Sequence, residues 1–122
     1  MQQLEISEEI QNLMQPFLEK GFSFRYFYEK GGDSSCVYIC RFQKGKDFFD
    51  WREVSGVQEI HIFGFVKGEY KFPSLKSFSK KKYRSFAIKS FFKTPTFSEY
   101  RQFVAELLLA ESEKGNFLGI EL

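Results

Sequence analysis

The sequence predicts an α+β fold: a two-layer sandwich with an N-terminal helix, an antiparallel sheet of four or five strands in a meander, and a C-terminal helix. Three observations predict it. Apolar residues recur with a helical period near both ends of the chain, they alternate with period two between those ends, and short turn-forming segments separate the alternating runs. The 122 residues are expected to form a single domain, 1–122.

The first element is predicted to be a helix with Ser7 as its N-cap, because Ser favours that position and acidic residues follow it at the positive end of the helix dipole. Its apolar stripe is Ile10, Leu13, Met14 and Phe17. Pro16 lies inside this pattern and is expected to kink the helix or divide it in two. Gly21 is predicted to end the helix, since glycine is favoured just after a helical C-terminus.

Strands are predicted from residue 22 onward, where apolar residues begin to alternate. The first strand has one wholly aromatic face, made of Phe22, Phe24, Tyr26 and Tyr28. The next strands are predicted over 35–43, 48–54 and 57–66. Turn-forming residues separate them at Gly31-Gly32-Asp33, Lys44-Gly45-Lys46 and Ser55-Gly56. Strands joined by short turns are antiparallel neighbours, which predicts the meander.

The last third of the chain is predicted to form a long polar connection, a further strand and a helix. The connection covers 67–82 and contains glycine, proline and several serines. The strand is predicted over 84–92 from the alternating residues Phe86, Ile88 and Phe92. Thr96 and Glu99 have the spacing of a capping box, which predicts the start of the C-terminal helix. The apolar stripe of that helix is Tyr100, Phe103, Val104, Leu107 and Leu108.

Aromatic residues dominate the composition, with 17 Phe, six Tyr and one Trp among the 122 residues. They predict a core built from rings. The residues expected in it are Phe22, Phe24, Tyr26, Ile60, Ile62, Phe86, Ile88, Phe103, Val104 and Leu107. Two helices can close only one face of the sheet, and large exposed apolar surfaces usually mark interfaces. A homodimer is therefore expected, since two-fold dimers are the commonest closed assembly.

The two cysteines, Cys36 and Cys40, are predicted to be separate buried thiols. Positions four apart on a strand lie about 13 Å apart, from a rise of ~3.3 Å per residue, whereas a disulfide needs Cα atoms within about 7 Å. Free thiols are typical of a reducing compartment. The first nine residues are polar and acidic, unlike a signal peptide. These features predict a cytoplasmic protein with no membrane partner.

Most enzyme classes lack their characteristic residues here. His61 is the single histidine, so any Ser-His or Cys-His pair would have to use it, and no serine stands in a Gly-x-Ser-x-Gly pattern. No phosphate-binding or dinucleotide-binding glycine motif is present, and no cofactor is expected. The sequence thus favours a non-catalytic protein.

A metal-dependent hydrolase is a third-ranked interpretation. Glu59 and His61 share one face of a predicted strand, and the preceding hairpin could bring Asp50 beside them as a third oxygen or nitrogen ligand. Cross-strand ion pairs with Lys44 and Lys46 explain the same acidic residues more simply. The sequence therefore predicts no metal site.

Charge is strongly segregated along the chain. The segment 67–93 contains nine basic residues against Glu69 alone, whereas the rest of the chain contains nine basic and 15 acidic residues. Cations neutralise phosphates and rings stack on bases, so this segment is a candidate surface for nucleic acid or another polyanion. Its candidate binding residues are Tyr70, Lys80, Lys81, Lys82, Tyr83 and Arg84. The alternative is a solvated lysine-rich loop.

The leading interpretation is a small, non-catalytic binding or interaction protein that forms a homodimer. Binding of nucleic acid or another polyanion through the segment 67–93 is the alternative. The hydrolase built on Asp50, Glu59 and His61 comes third.

Overall fold

The computed structural model describes residues 2–30, 36–54 and 59–122 and confirms the predicted α+β class. Its elements are α1 (Gln2–Leu13), α2 (Gln15–Glu19), β1 (Ser23–Lys30), β2 (Cys36–Lys44), β3 (Asp47–Val54), β4 (Glu59–Val66), β5 (Glu69–Lys71), α3 (Leu75–Phe78), α4 (Lys80–Phe92), α5 (Phe97–Ser112), β6 (Asn116–Phe117) and β7 (Ile120–Glu121). Strands β1 to β5 form one antiparallel sheet in sequence order, so the predicted meander is also confirmed.

The register of the strands separates two faces of this sheet. Residues directly opposite each other on neighbouring strands lie on the same face. On the core face, Phe42 lies opposite Phe49, and Trp51 lies opposite Ile62. The intervening residues, such as Phe48, lie on the other face, called here the outer face.

The helices cover the core face with a ring-rich cluster. Phe49 is at its centre, with ring centroids 5.2 Å from Phe17, 5.0 Å from Phe42 and 4.6 Å from Phe117. Six of the predicted core residues are buried in this cluster: Phe22, Ile60, Ile62, Phe103, Val104 and Leu107. Three more are partly buried against it: Phe24, Tyr26 and Phe86. The core is thus built from rings, as the composition predicts.

The N-terminal helix differs from the prediction at its start. It begins at Gln2, so Ser7 is a buried residue inside α1 and the prediction that it caps the helix is wrong. The apolar stripe begins earlier than predicted, at Ile6, which packs against the core. This contact favours helix on the N-terminal side of Ser7 as well. The predicted break at Pro16 is confirmed, because α1 ends at Leu13 and Pro16 lies in the first turn of α2. Gly21 follows with φ +98°, as expected of a glycine after a helix.

The prediction of a strand over 84–92 is wrong, because these residues belong to helix α4. Ser79 caps this helix by accepting a hydrogen bond of 3.3 Å from the Lys82 amide. Residues two apart lie about 200° apart around a helix. Phe86 therefore faces Phe103, while Ile88 lies on the opposite side and is 56% exposed instead of buried. The predicted connection over 67–82 contains β5, α3 and the first turn of α4.

Some predicted features lie outside the described residues. These are the turn at Gly31-Gly32-Asp33, the strand start at Ser35, the turn at Ser55-Gly56 and the strand start at Val57. The other strand ends agree with the prediction within about two residues, and the turn at Gly45 and Lys46 is confirmed. Neither cysteine is in a disulfide, and Cys40 is buried as predicted, whereas the prediction that Cys36 is buried is wrong, because it is only partly buried. Burial raises the pKa of the Cys40 thiol well above its ordinary value, which makes it a poor nucleophile.

Candidate interaction surfaces

The outer face of the sheet carries a connected set of rings and one guanidinium group. The described helices pack on the opposite, core face. The Arg41 guanidinium carbon lies 3.9 Å from the ring centroid of Phe48 on β3 and 5.2 Å from that of Phe27 on β1. Both distances fall within the ~6 Å range of cation–π attraction, so Arg41 links the rings of the neighbouring strands.

The ring contacts continue across β4 to the far edge of the sheet. The centroids of Phe48 and Phe65 are 5.7 Å apart, and those of Phe65 and Tyr70 are 4.8 Å apart. The ring centroid of Phe63 lies 5.0 Å from that of Phe72, the residue that follows β5. We call this set the outer-face strip: Phe27, Arg41, Phe48, Phe63, Phe65, Tyr70 and Phe72. Tyr70 is 64% exposed and Phe72 is 73% exposed, so solvent reaches the strip most freely at this edge.

Charges on the outer face are balanced. Its described strand positions carry the cations Arg25, Arg41 and Arg52 and the anions Glu29, Asp50 and Glu59. Asp50 accepts hydrogen bonds of 2.8 and 3.0 Å from the Nε and Nη2 atoms of Arg41. This bond and the charge of Asp50 hold the pKa of Arg41 above its ordinary value despite partial burial. The guanidinium is therefore fixed at the centre of the strip by a bidentate pair.

The three residues of the hydrolase interpretation are not brought together. Asp50 is bound by Arg41 instead of by Lys44 or Lys46, so it does form a cross-strand ion pair, although with a different partner. His61 Nε2 and Glu59 Oε2 are 3.1 Å apart, and both side chains are more than half exposed. Among residues 2–30, 36–54 and 59–122, no three His, Cys, Asp or Glu side chains are grouped as metal ligands would be.

The candidate polyanion-binding residues lie in two different layers of the protein. Tyr70 belongs to the outer-face strip. The cations Lys80, Lys81, Lys82 and Arg84 lie in the first two turns of α4, in the helical layer. Tyr83 lies between them in sequence, but its ring packs on α5, with its centroid 6.1 Å from that of Phe103. The structure therefore keeps the four cations on one helix and separates them from Tyr70.

Helix α4 and its C-cap present six exposed cations: Lys80, Lys81, Lys82, Arg84, Lys89 and Lys93. Within the described parts of the chain, none of them has an ion pair within 4.0 Å. Three of them, Lys81, Lys82 and Lys89, line a groove between α4 and α5. Glu99 and Glu106 line the same groove, so part of the positive charge is offset there.

The same helix carries an exposed apolar ridge that the sequence prediction missed. Its residues are Ile88, Phe91 and Phe92, and the two rings are 84% and 81% exposed. Arg84 and Ala87 lie beside them on the same surface. The alternation predicted a strand and placed Ile88 in the core, so this exposed surface was not expected.

A buried ionic cluster was also missed, and it connects three elements. Arg101 on α5 donates from Nε and Nη2 to the two carboxylate oxygens of Glu53 on β3, over 2.7 and 3.0 Å. Its Nη1 atom donates to Glu9 on α1 over 2.8 Å. The indole of Trp51 donates to the same Glu53 carboxylate over 3.1 Å. Every one of these charges is paired inside the protein, which indicates a structural role.

Comparison of this chain with protein-family models, with curated proteins and with solved structures gave no match. Among the described helices, none has the length and apolar composition needed to cross a bilayer.

Proposed function

We propose that this protein is a non-catalytic interaction domain that forms a homodimer through the outer-face strip. The observation that carries the proposal is the strip itself: rings and a guanidinium in mutual contact across five strands, on the face that the described helices do not cover. Aromatic residues and arginine are the types enriched at protein interfaces.

The balanced charge of the outer face favours a second copy over a polyanion at this position. Three arginines accompany three carboxylates among its described strand positions. A phosphate chain needs a net positive surface, whereas a balanced face meets a copy of itself without net repulsion. The strip is therefore better suited to protein than to nucleic acid.

The strip is also held in place before any partner arrives. Arg41 is fixed by Asp50, and Phe48 is held between Arg41 and Phe65. Association costs conformational entropy for each side chain that it immobilises, and that cost is reduced when the side chains are already ordered. Preorganisation thus supports an association surface here.

Sedimentation velocity over a concentration series tests this proposal. The wild-type protein is expected to dimerise at micromolar concentration. The double variant Tyr70→Ser with Phe72→Ser should weaken dimerisation by about tenfold or more, because exposed interface rings are frequent hot spots. Both side chains are mostly exposed, so folding should be retained.

The matched control is Phe91→Ala with Phe92→Ala, which removes from α4 two rings that are even more exposed than Tyr70 and Phe72. This control should dimerise as the wild type does. A wild-type protein that remains monomeric throughout the series would contradict the proposal, and so would a loss of the dimer in the control alone.

A second candidate function is polyanion binding through α4, which is supported by the exposure of its six cations, none of them in an ion pair with another described residue. If Lys80, Lys81, Lys82 and Arg84 contact phosphates, duplex DNA affinity should fall with salt with a log–log slope of about −3.6, at ~0.9 per phosphate. Replacing the three lysines by Ala should flatten that slope. Lys20→Ala with Lys46→Ala, at two exposed positions outside α4, should leave it unchanged. Absence of any binding at about 50 mM salt would remove this candidate.

A further inference from the structure

We propose that α4 lies on an anionic membrane surface, with its cations at the lipid headgroups and its apolar ridge at the boundary with the acyl chains. This inference rests on the second candidate function, because it names the polyanion as a lipid surface. It departs from the sequence expectation that the protein has no membrane partner.

The two sides of α4 have different partners in the fold. On the inner side, Tyr83 and Phe86 pack on Phe103 of α5, with ring centroids 6.1 and 4.0 Å apart. The outer side, about half a turn away, has no such cover: Ile88 is 56% exposed and Phe91 is 84% exposed. A helix that has one apolar side already packed therefore carries a second apolar side in solvent.

The outer side of α4 is basic near its N-terminus and apolar near its C-terminus. At 100° per residue, Lys80 and Arg84 occupy this side in the first two turns, whereas Lys81 lines the groove between α4 and α5. The ridge residues Ile88, Phe91 and Phe92 occupy it in the last turns. Helices at the membrane interface combine basic residues with exposed aromatic and aliphatic residues, and the outer side of α4 carries both groups next to each other.

Its length and charge fit a helix that lies along the surface of a bilayer. Thirteen residues extend about 20 Å, less than the ~30 Å of the hydrocarbon core. Lys80 and Arg84 lie on the outer side, away from the groove in which Glu99 and Glu106 offset part of the positive charge. The cations beside the ridge are thus the ones available to anionic headgroups.

An anionic bilayer accounts for more of this surface than a nucleic acid does. Both ligands offer phosphates to the cations. A nucleic acid could stack bases on the exposed rings of Phe91 and Phe92, but Tyr83 is packed against Phe103, and Tyr70 lies in the other layer. Only a bilayer also supplies an apolar boundary for Ile88, which cannot stack on a base.

Co-sedimentation with phosphatidylcholine vesicles, with and without phosphatidylglycerol, tests the proposal. The wild-type protein should bind the anionic vesicles and should bind the zwitterionic ones far more weakly. Lys80→Ala with Arg84→Ala should weaken anionic binding by about 25-fold, at roughly fivefold per cation. Phe91→Ala with Phe92→Ala should weaken it by about tenfold or more through lost apolar burial. Lys20→Ala with Lys46→Ala is the charge-matched control and should bind as the wild type does.

Fluorescence of the Phe91→Trp variant reports insertion directly. Trp51 is fully buried, so its emission is already that of an apolar environment and should not change. The new indole should shift to shorter wavelength when anionic vesicles are added, and it should show no such shift with duplex DNA.

Each other outcome overturns the proposal. Binding to duplex DNA without binding to anionic vesicles would overturn the lipid assignment and leave the polyanion candidate standing. A protein that binds neither duplex DNA nor anionic vesicles would overturn both the lipid assignment and the polyanion candidate. Vesicle binding that is unchanged in the Phe91→Ala with Phe92→Ala variant would show that the ridge stays out of the bilayer. Dissociation of a homodimer by that variant would show that a second copy covers the ridge.

Discussion

Glu53→Ala should lower the free energy of unfolding by about 3–5 kcal/mol, because removing one partner of a buried ion pair leaves an uncompensated charge. Glu53 is only 1% exposed and accepts three hydrogen bonds, two from Arg101 and one from Trp51. Without it, the Arg101 guanidinium would retain Glu9 alone among the described residues as an ionic partner, and the indole would lose its acceptor. Urea denaturation followed by circular dichroism measures this loss.

Glu59→Ala is the matched control for that prediction. Glu59 is a residue of the same type in the same sheet, but its partner is the exposed His61, and exposed pairs contribute little. It should change stability by less than about 0.5 kcal/mol. The double variant Glu53→Leu with Arg101→Leu should recover much of the stability, since a buried pair can often be replaced by apolar residues. Equal effects of Glu53→Ala and Glu59→Ala would contradict the structural role of the cluster.

Phe49→Ala should cost about 3–5 kcal/mol, typical of a phenylalanine deleted from a core. Phe49 is fully buried, and its ring contacts those of Phe17, Phe22, Phe42 and Phe117. Phe17 belongs to α2, Phe22 directly precedes β1, Phe42 belongs to β2 and Phe117 belongs to β6. The helices, the sheet and the C-terminal hairpin of β6 and β7 therefore all lose contacts when the ring is removed. Thermal and urea unfolding measure the change.

Phe91→Ala provides the comparison for a ring of the same size. Phe91 is exposed, so its truncation should change stability by less than about 0.5 kcal/mol. If Phe49→Ala destabilises the protein no more than Phe91→Ala does, the cluster around Phe49 is not the centre of the core.

The sheet and the C-terminal helix were predictable because their signals are local. Each of the strands β1 to β4 was predicted from the pattern within its own eight or nine residues, and Thr96 with Glu99 forms both hydrogen bonds of the predicted capping box. The break at Pro16 is equally local, since proline lacks an amide donor and its ring crowds the preceding turn.

Helix α4 was not predictable from alternation because it has apolar residues on two sides. Phe86 packs inward and Ile88 lies outward. Because both sides of the helix are apolar, these residues recur at every second position and give the pattern expected of a strand. The length of the run, 13 residues, and the N-cap position of Ser79 were the signals that favoured a helix.

The buried cluster of Arg101 and Glu53 joins residues 48 positions apart, and only the packing of α5 on the sheet brings them together. Each nevertheless left a local signal. Glu53 shares a strand face with Phe49 and Trp51, and Arg101 lies one turn before stripe residue Val104 and two turns before Leu108. A charge at a core position of its own element indicates a buried partner of opposite sign.

The existence of an uncovered sheet face was predictable from the sequence, but the side-chain contacts of the outer-face strip were not. Two helices close one face of a sheet, so an uncovered face was predicted. The contact of Arg41 with Phe48, however, depends on the pairing of Arg41 with Asp50 across β2 and β3. That pairing follows from register, which the sequence leaves open until the turn geometry is known.

Amide chemical shifts measured over a concentration series test the proposed association most directly, because they locate the surface as well as detecting it. We predict that raising the concentration through the micromolar range shifts amides around Arg41, Phe48, Phe63 and Tyr70. Amides of the outer side of α4 should keep their positions. Concentration-independent spectra, or shifts confined to α4, would contradict a homodimer built on the outer-face strip.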